Sequence, residues 1–166
     1  MEWREDESIS CETSNDRTHR YMLTCSWDSK KPAVTFVMFN PTLEDENEAD
    51  QTLRRCVSFA RDWGYGSMII VNLFSQVTPD PSEIEPQTLE EKITNMKAIR
   101  KAVMQSEKVV FAWGEKGSKN NKVVEEVLAL VEDEKRFCIK RSKTKAKFPL
   151  HPLSQKHSEA AIPYEV

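Results

Sequence analysis

The chain has 166 residues, with 24 Lys or Arg against 27 Asp or Glu and a formal net charge of −3. That length fits one domain, which buries about two-thirds of the surface its unfolded form exposes, so no disulfide framework is required. With 39% hydrophobic and 31% charged residues, the composition excludes wholesale disorder, and no stretch is apolar for long enough to span a bilayer.

Residues 1–18 are polar and acidic and read as a flexible N-terminal arm; residues 19–166 read as a single α/β domain. The opening MEWREDESISCETSNDRTHR has no apolar core of a secretory signal and is too acidic for a transit peptide. The expected compartment is the cytoplasm. Cys11, Cys25, Cys56 and Cys138 form no CxxC pair, and His19, His151 and His157 offer no metal-ligand spacing. Free thiols are expected, with no metal and no other cofactor. His157, near the chain end, is expected to face solvent.

In chain order, residues 21–27 predict an antiparallel edge strand, closed by the turn Asp28-Ser29-Lys30-Lys31-Pro32. Residues 33–39 (AVTFVMF) are apolar except for Thr35, the mark of a strand buried on both faces. An acidic loop, 42–50, leads to a helix over 50–63, with Leu53, Cys56, Val57 and Ala60 on one side, Asp50 as N-cap and Gly64 as C-cap. Residues 67–73 predict a second buried strand, followed by a loop punctuated by Pro79, Pro81 and Pro86. Thr88 to Glu91 has capping-box form, and Leu89, Ile93, Met96 and Val103 supply the expected apolar face of a helix ending near Ser106. Residues 109–113 predict a third buried strand, 119–131 a helix and 136–140 a last, more polar strand. This alternation predicts a three-layer α/β/α fold around a mainly parallel sheet of four to five strands.

In such sheets ligands bind beyond the carboxyl ends of the strands. Three successive strand ends carry unusual residues at that level: Asn40-Pro41, Asn72 with Phe74 close behind it, and Trp113-Gly114. Asparagine is a common turn former, but its amide both donates and accepts and so can read a nucleobase edge. AWGEKGSKN matches neither GxGxxG nor a Walker loop, so Gly114 is read as a tight turn or a close approach of backbone to ligand. His151 is held between Pro149 and Pro152, a rigid setting that suits either a fixed hydrogen bond to an anion or a structural turn. Arg54 and Arg55 open the helix of residues 50–63 and are candidates to meet phosphate. The stretch 135–147 carries seven Lys or Arg and no acid, which fits either a phosphate-binding edge or a solvated counterweight to the acidic half. No GxSxG elbow is present, which disfavours covalent hydrolase chemistry.

Taken in order, HRYMLTCSWD, FVMFNPT, DQTLRRCVSFARDWGYG, VNLFSQVTPDP, FAWGEKG and PLHPLS resemble the bacterial and phage family called domain of unknown function 1643, over roughly residues 19 to 154. In that family the segment after NLF commonly carries an arginine before the Thr-Asp-Pro, whereas this chain reads Ser75-Gln76-Val77-Thr78-Pro79-Asp80, so the expected charge is either missing or supplied by Arg54 or Arg55. A looser resemblance is to the uracil-DNA glycosylase superfamily, with Asn40-Pro41, Asn72, Ala112-Trp113-Gly114 and His151-Pro152-Leu153-Ser154 standing for its motifs. That resemblance implies a uracil-DNA-glycosylase-like fold, with Asn40 positioning water, Asn72 reading the base edge and His151 stabilising charge on the departing base. The expected partner is a nucleobase, a nucleotide or a nucleic acid, with no membrane. Three readings stand: an N-glycosidic hydrolase, a non-catalytic nucleotide or nucleic-acid binder, and a protein-interaction module in phage and host conflict. The oligomeric state is left open.

Overall fold

The structure, a computed structural model, describes residues 2–154 and 159–165; His157 lies outside them. The strands are β1 (Ser8–Thr13), β2 (Arg20–Ser26), β3 (Ala33–Met38), β4 (Ser67–Asn72), β5 (Ser106–Phe111), β6 (Arg136–Cys138) and β7 (Ile162–Pro163). The helices are α1 (Gln51–Asp62), α2 (Leu89–Gln105), α3 (Gly114–Ser118) and α4 (Asn121–Leu128). The seven strands form one sheet in the order β1-β2-β4-β3-β5-β6-β7.

Strands β4, β3, β5 and β6 run parallel, whereas β1 with β2, β2 with β4, and β6 with β7 pair antiparallel. The fold is therefore mixed α/β, which corrects the expected mainly parallel sheet of four to five strands. The extra strands come from segments whose pattern is weak. β1 (SISCET) lies in the stretch read as a loose arm, and none of its residues is fully buried. β7 is a two-residue strand at the far edge. With β1 outside it, β2 is an interior strand rather than the expected edge.

Alternation along the central strands divides the core in two. Val34, Phe36, Met38, Met68, Ile70 and Val110 pack with Leu53, Cys56, Val57, Phe59 and Ala60 of α1. Val37, Ile69, Val71, Val109 and Phe111 pack with α2 and α4 on the opposite face. Local chemistry sets the helix ends. The Asp50 carboxylate accepts from Leu53 N at 2.8 Å. Gly64 has φ +87°, and Gly64 N and Tyr65 N donate to Arg61 O and Ala60 O, a Schellman closure. Thr88 and Glu91 form the expected capping box on α2.

The expected apolar face of α2 is only partly the one used. Asn95, Ala98, Ile99, Ala102 and Val103 are buried, while Leu89 and Ile93 are exposed. Ala98 and Ala102 are small, so the sheet approaches this face closely. The sequence pattern favours the side with the larger residues.

A buried ion pair fastens the acidic loop to the sheet. Arg20 and Glu44 side chains are 4% and 5% exposed; Arg20 Nη2 meets Glu44 Oε1 and Arg20 Nη1 meets Glu44 O, each at 2.7 Å. Glu44 also accepts from the Thr42 hydroxyl. Glu44→Ala strands a guanidinium away from water, and the expected loss is about 3–5 kcal/mol in urea unfolding. An unchanged unfolding midpoint would show that the pair carries no such weight.

Candidate functional site

The parallel register sets Met38 opposite Asn72 and Val37 opposite Phe111, so the carboxyl ends of β4, β3 and β5 share one edge of the sheet. Asn72, Asn40-Pro41 and Trp113-Gly114 lie along that edge because each closes or follows one of these strands. Phe74 follows β4 by two residues and packs on Phe39 with ring centroids 5.3 Å apart.

The Asn40 side chain is a clamp. Its Nδ2 donates to Pro41 O and Thr78 O at 2.9 Å and to Gln76 O at 3.3 Å. Thr78 N in turn donates to the carbonyl of the buried Pro41 at 3.0 Å. The loop after β3 is thereby joined to the loop after β4, and the Asn40 Oδ1 is the atom left to accept from a ligand or water.

Asn72 contrasts with Asn40. It is 1% exposed, and among the described residues neither its Nδ2 nor its Oδ1 has a hydrogen-bond partner. By strand alternation it lies on the α1 face, in step with Met68 and Ile70. Its backbone carbonyl is satisfied by Asn95 Nδ2 at 2.9 Å. The buried Trp113 Nε1 and Asn95 Oδ1 are likewise without partners among the described residues.

Gly114 has φ +72°, a left-handed conformation that glycine adopts without strain, and its N–H donates to Pro149 O at 3.1 Å. This bond draws the tail across the end of β5. Gly117 then packs on the indole, where an added Cβ would come within 2.5 Å of Trp113.

Beyond Pro149 the tail reaches α1, which contacts the short 3-10 turn Pro152–Ser154. His151 Nδ1 accepts from Leu153 N at 3.2 Å, so a neutral ring carries its proton on Nε2. Burial pushes the His151 pKa below its ordinary 6.5, and the Asp50 carboxylate opposes this without cancelling it. The histidine is therefore neutral at pH 7.

Arg54 is engaged away from this edge. Arg54 Nη1 binds Glu7 Oε1 at 2.6 Å, and its guanidinium lies 5.8 Å from the Trp3 ring centroid. Burial raises the Glu7 pKa, but hydrogen bonds from Arg54, Arg4 N and Arg61 outweigh it and leave the carboxyl below its ordinary range. Arg54 thus fastens the N-terminal segment to α1. Arg55 is half-buried on the same helix. In the basic stretch, Lys135 and Arg136 are held by backbone carbonyls and Arg141 lies over Tyr164, which leaves Lys140, Lys143, Lys145 and Lys147 exposed.

Two open clefts flank the edge. One of about 430 Å³ runs from Thr42 and Glu44 to Asp50 and Pro79; another of about 410 Å³ is lined by Phe39, Phe74, Ile84 and Asn120. Sequence reasoning missed Asn95, which looks like an ordinary polar helix residue. It also gave no role to the histidine of HRYMLT. His19 Nδ1 lies 2.8 Å from Ser75 Oγ and its Nε2 3.7 Å from Glu91. Ser75 is completely buried, so this chain tethers β2 to the loop after β4 instead of presenting a nucleophile. Burial raises the thiols of Cys11 and Cys138 to about 11 and Cys25 to about 12, which keeps them protonated and unreactive. Among the described residues no group of three His, Cys, Asp or Glu could hold a metal, and no helix is long and apolar enough to cross a membrane.

A mixed α/β sheet with a polar carboxyl edge, closed over by its own tail, is the class this geometry defines. The chain belongs to the family described as protein of unknown function (DUF1643), whose profile matches residues 20–153. No curated protein and no solved structure matches it.

The depressed His151 pKa has a defined consequence for stability. The unfolded chain binds a proton near pH 6.5 that the folded chain resists, so this contribution is present above that pH and is lost as pH falls. The melting temperature of wild type relative to His151→Gln is expected to fall between pH 7.5 and 5; a relative rise would contradict the burial of the ring.

Proposed function

We propose that this chain recognises a nucleobase or nucleotide at the carboxyl edge of β3, β4 and β5, with the Asn72 amide reading the base. The observation that carries this reading is the buried side chain of Asn72, whose two polar atoms have no partner among the described residues. Each such atom costs about 1–3 kcal/mol. A ligand that offers a donor beside an acceptor, as the pairing edge of a base does, recovers that cost. Because Asn72 is closed off from solvent, ligand entry involves displacement of an adjoining segment, such as the joined loops after β3 and β4.

Hydrolysis of an N-glycosidic bond, on a uracil-DNA-glycosylase-like arrangement, is a second reading, favoured by the neutral His151 with its proton on Nε2. The C1′–N bond breaks with its electron pair leaving on the base, water adds to C1′, and the proton released by water ends on the base. His151 Nε2–H would donate to the charge developing on the base, and Asn40 Oδ1 would orient the water. An amide cannot hold that water's proton, so Asn40 positions water without acting as a base. The net charge of −3 opposes tight duplex binding, which rests on neutralising phosphates; Lys140, Lys143, Lys145 and Lys147 would carry any such contact. The cytoplasm is the compartment that fits four free thiols.

Two measurements separate these readings. Titration with free nucleobases and nucleosides should give saturable binding that Asn72→Leu weakens by at least about tenfold while raising the melting temperature, since the substitution removes two unsatisfied atoms. Equal binding by Asn72→Leu overturns the assignment. In a panel of oligonucleotides carrying uracil and other modified bases, release of base that is lost in Asn40→Ala and His151→Ala supports hydrolysis. Binding without release leaves recognition alone.

A further inference from the structure

Helix α2 carries two apolar stripes, and the sheet uses only one. The second runs through Leu89, Ile93 and Met96 to Arg100, a spacing of four, three and four residues that keeps one seam along the helix. Leu89 is 75% and Ile93 47% exposed, and with Met96 and Leu130 they floor a groove of about 360 Å³ whose rim carries Lys97 and Arg100. From Leu89 to Arg100 the seam is about 16 Å long, some three turns.

We propose that this groove docks an amphipathic helix with acidic flanks, contributed by a partner protein. Charge decides the occupant. Lys97 and Arg100 are exposed and form no ion pair within the described residues, whereas the third cation of the rim, Lys92, is bound to Glu126 at 2.8 Å. Glu90, exposed at the amino end of the helix, is the one acid flanking the seam on α2 itself apart from the capping Glu91. A second copy packed with its α2 antiparallel would bring Glu90 toward Arg100 but set Lys97 against Lys92, so it leaves like charges facing at the middle of the seam, which costs affinity. Carboxylates flanking the partner's apolar seam would meet both, while its leucines fill the floor. This surface lies on α2 away from Asn72 and does not depend on the nucleobase reading.

The test uses the full chain and two designed helical peptides of about 18 residues that share a leucine seam, one flanked by glutamate and one by lysine. The acidic peptide is expected to bind in fluorescence anisotropy at least about tenfold more tightly than the basic one. Ile93→Asp should remove that binding with the melting temperature unchanged, and the double variant Lys97→Glu, Arg100→Glu should reverse the preference. The proposal is overturned if neither peptide binds or if both bind equally. It also fails if the chain dimerises through this face and Ile93→Asp dissociates the dimer.

Discussion

Burial of β3 on both faces, between parallel neighbours, is the constraint from which the rest of the arrangement follows. Every residue from Val34 to Met38 is buried, so α1 must cover one face and α2 with α4 the other. Helices packed on both faces connect strands that run parallel, and parallel pairing brings the carboxyl ends of β4, β3 and β5 to one edge. The strand ends become neighbours although 32 and more positions separate Asn40 from Asn72 and Trp113, but the Asn72 side chain lies on the α1 face and Trp113 packs on the face covered by α2 and α4.

What happens at that edge is a contrast between two asparagines. Asn40 spends its amide nitrogen on loop carbonyls and holds two loops together. Asn72 finds no side-chain partner among the described residues, although it lies deeper. A fold can hold one such group because its net stability is a small difference between large terms, but it gains nothing from doing so. Unpaired polarity retained at the place where parallel sheets receive ligands is better explained by function than by packing.

Local signals were legible in the sequence. Asp50, Gly64 and the Thr88 to Glu91 box act within a few residues of themselves, and all stand where the pattern put them. Long-range partners were not. Nothing near Arg54 announces Glu7, 47 positions away, and Arg20 finds Glu44 across 24. The strand status of residues 8–13 depends on β2 offering an open edge, since SISCET has too little apolar content to specify a strand by itself. On α2 the larger side chains pointed to the wrong face because close packing against a sheet rewards alanine. The candidate edge itself was legible from strand ends, but its division of labour, with Arg54 drawn away and Asn95 drawn in, is set by tertiary contacts.

In the proposed reading the Asn72 amide is the group that meets the ligand. The most direct measurement is an NMR titration that follows the Asn72 side-chain NH2 resonances while nucleobases and nucleosides are added. A saturable shift of those resonances, with the same midpoint as the backbone signals of residues 72–74, is the predicted result. Saturable binding that leaves the Asn72 NH2 resonances unmoved would contradict it.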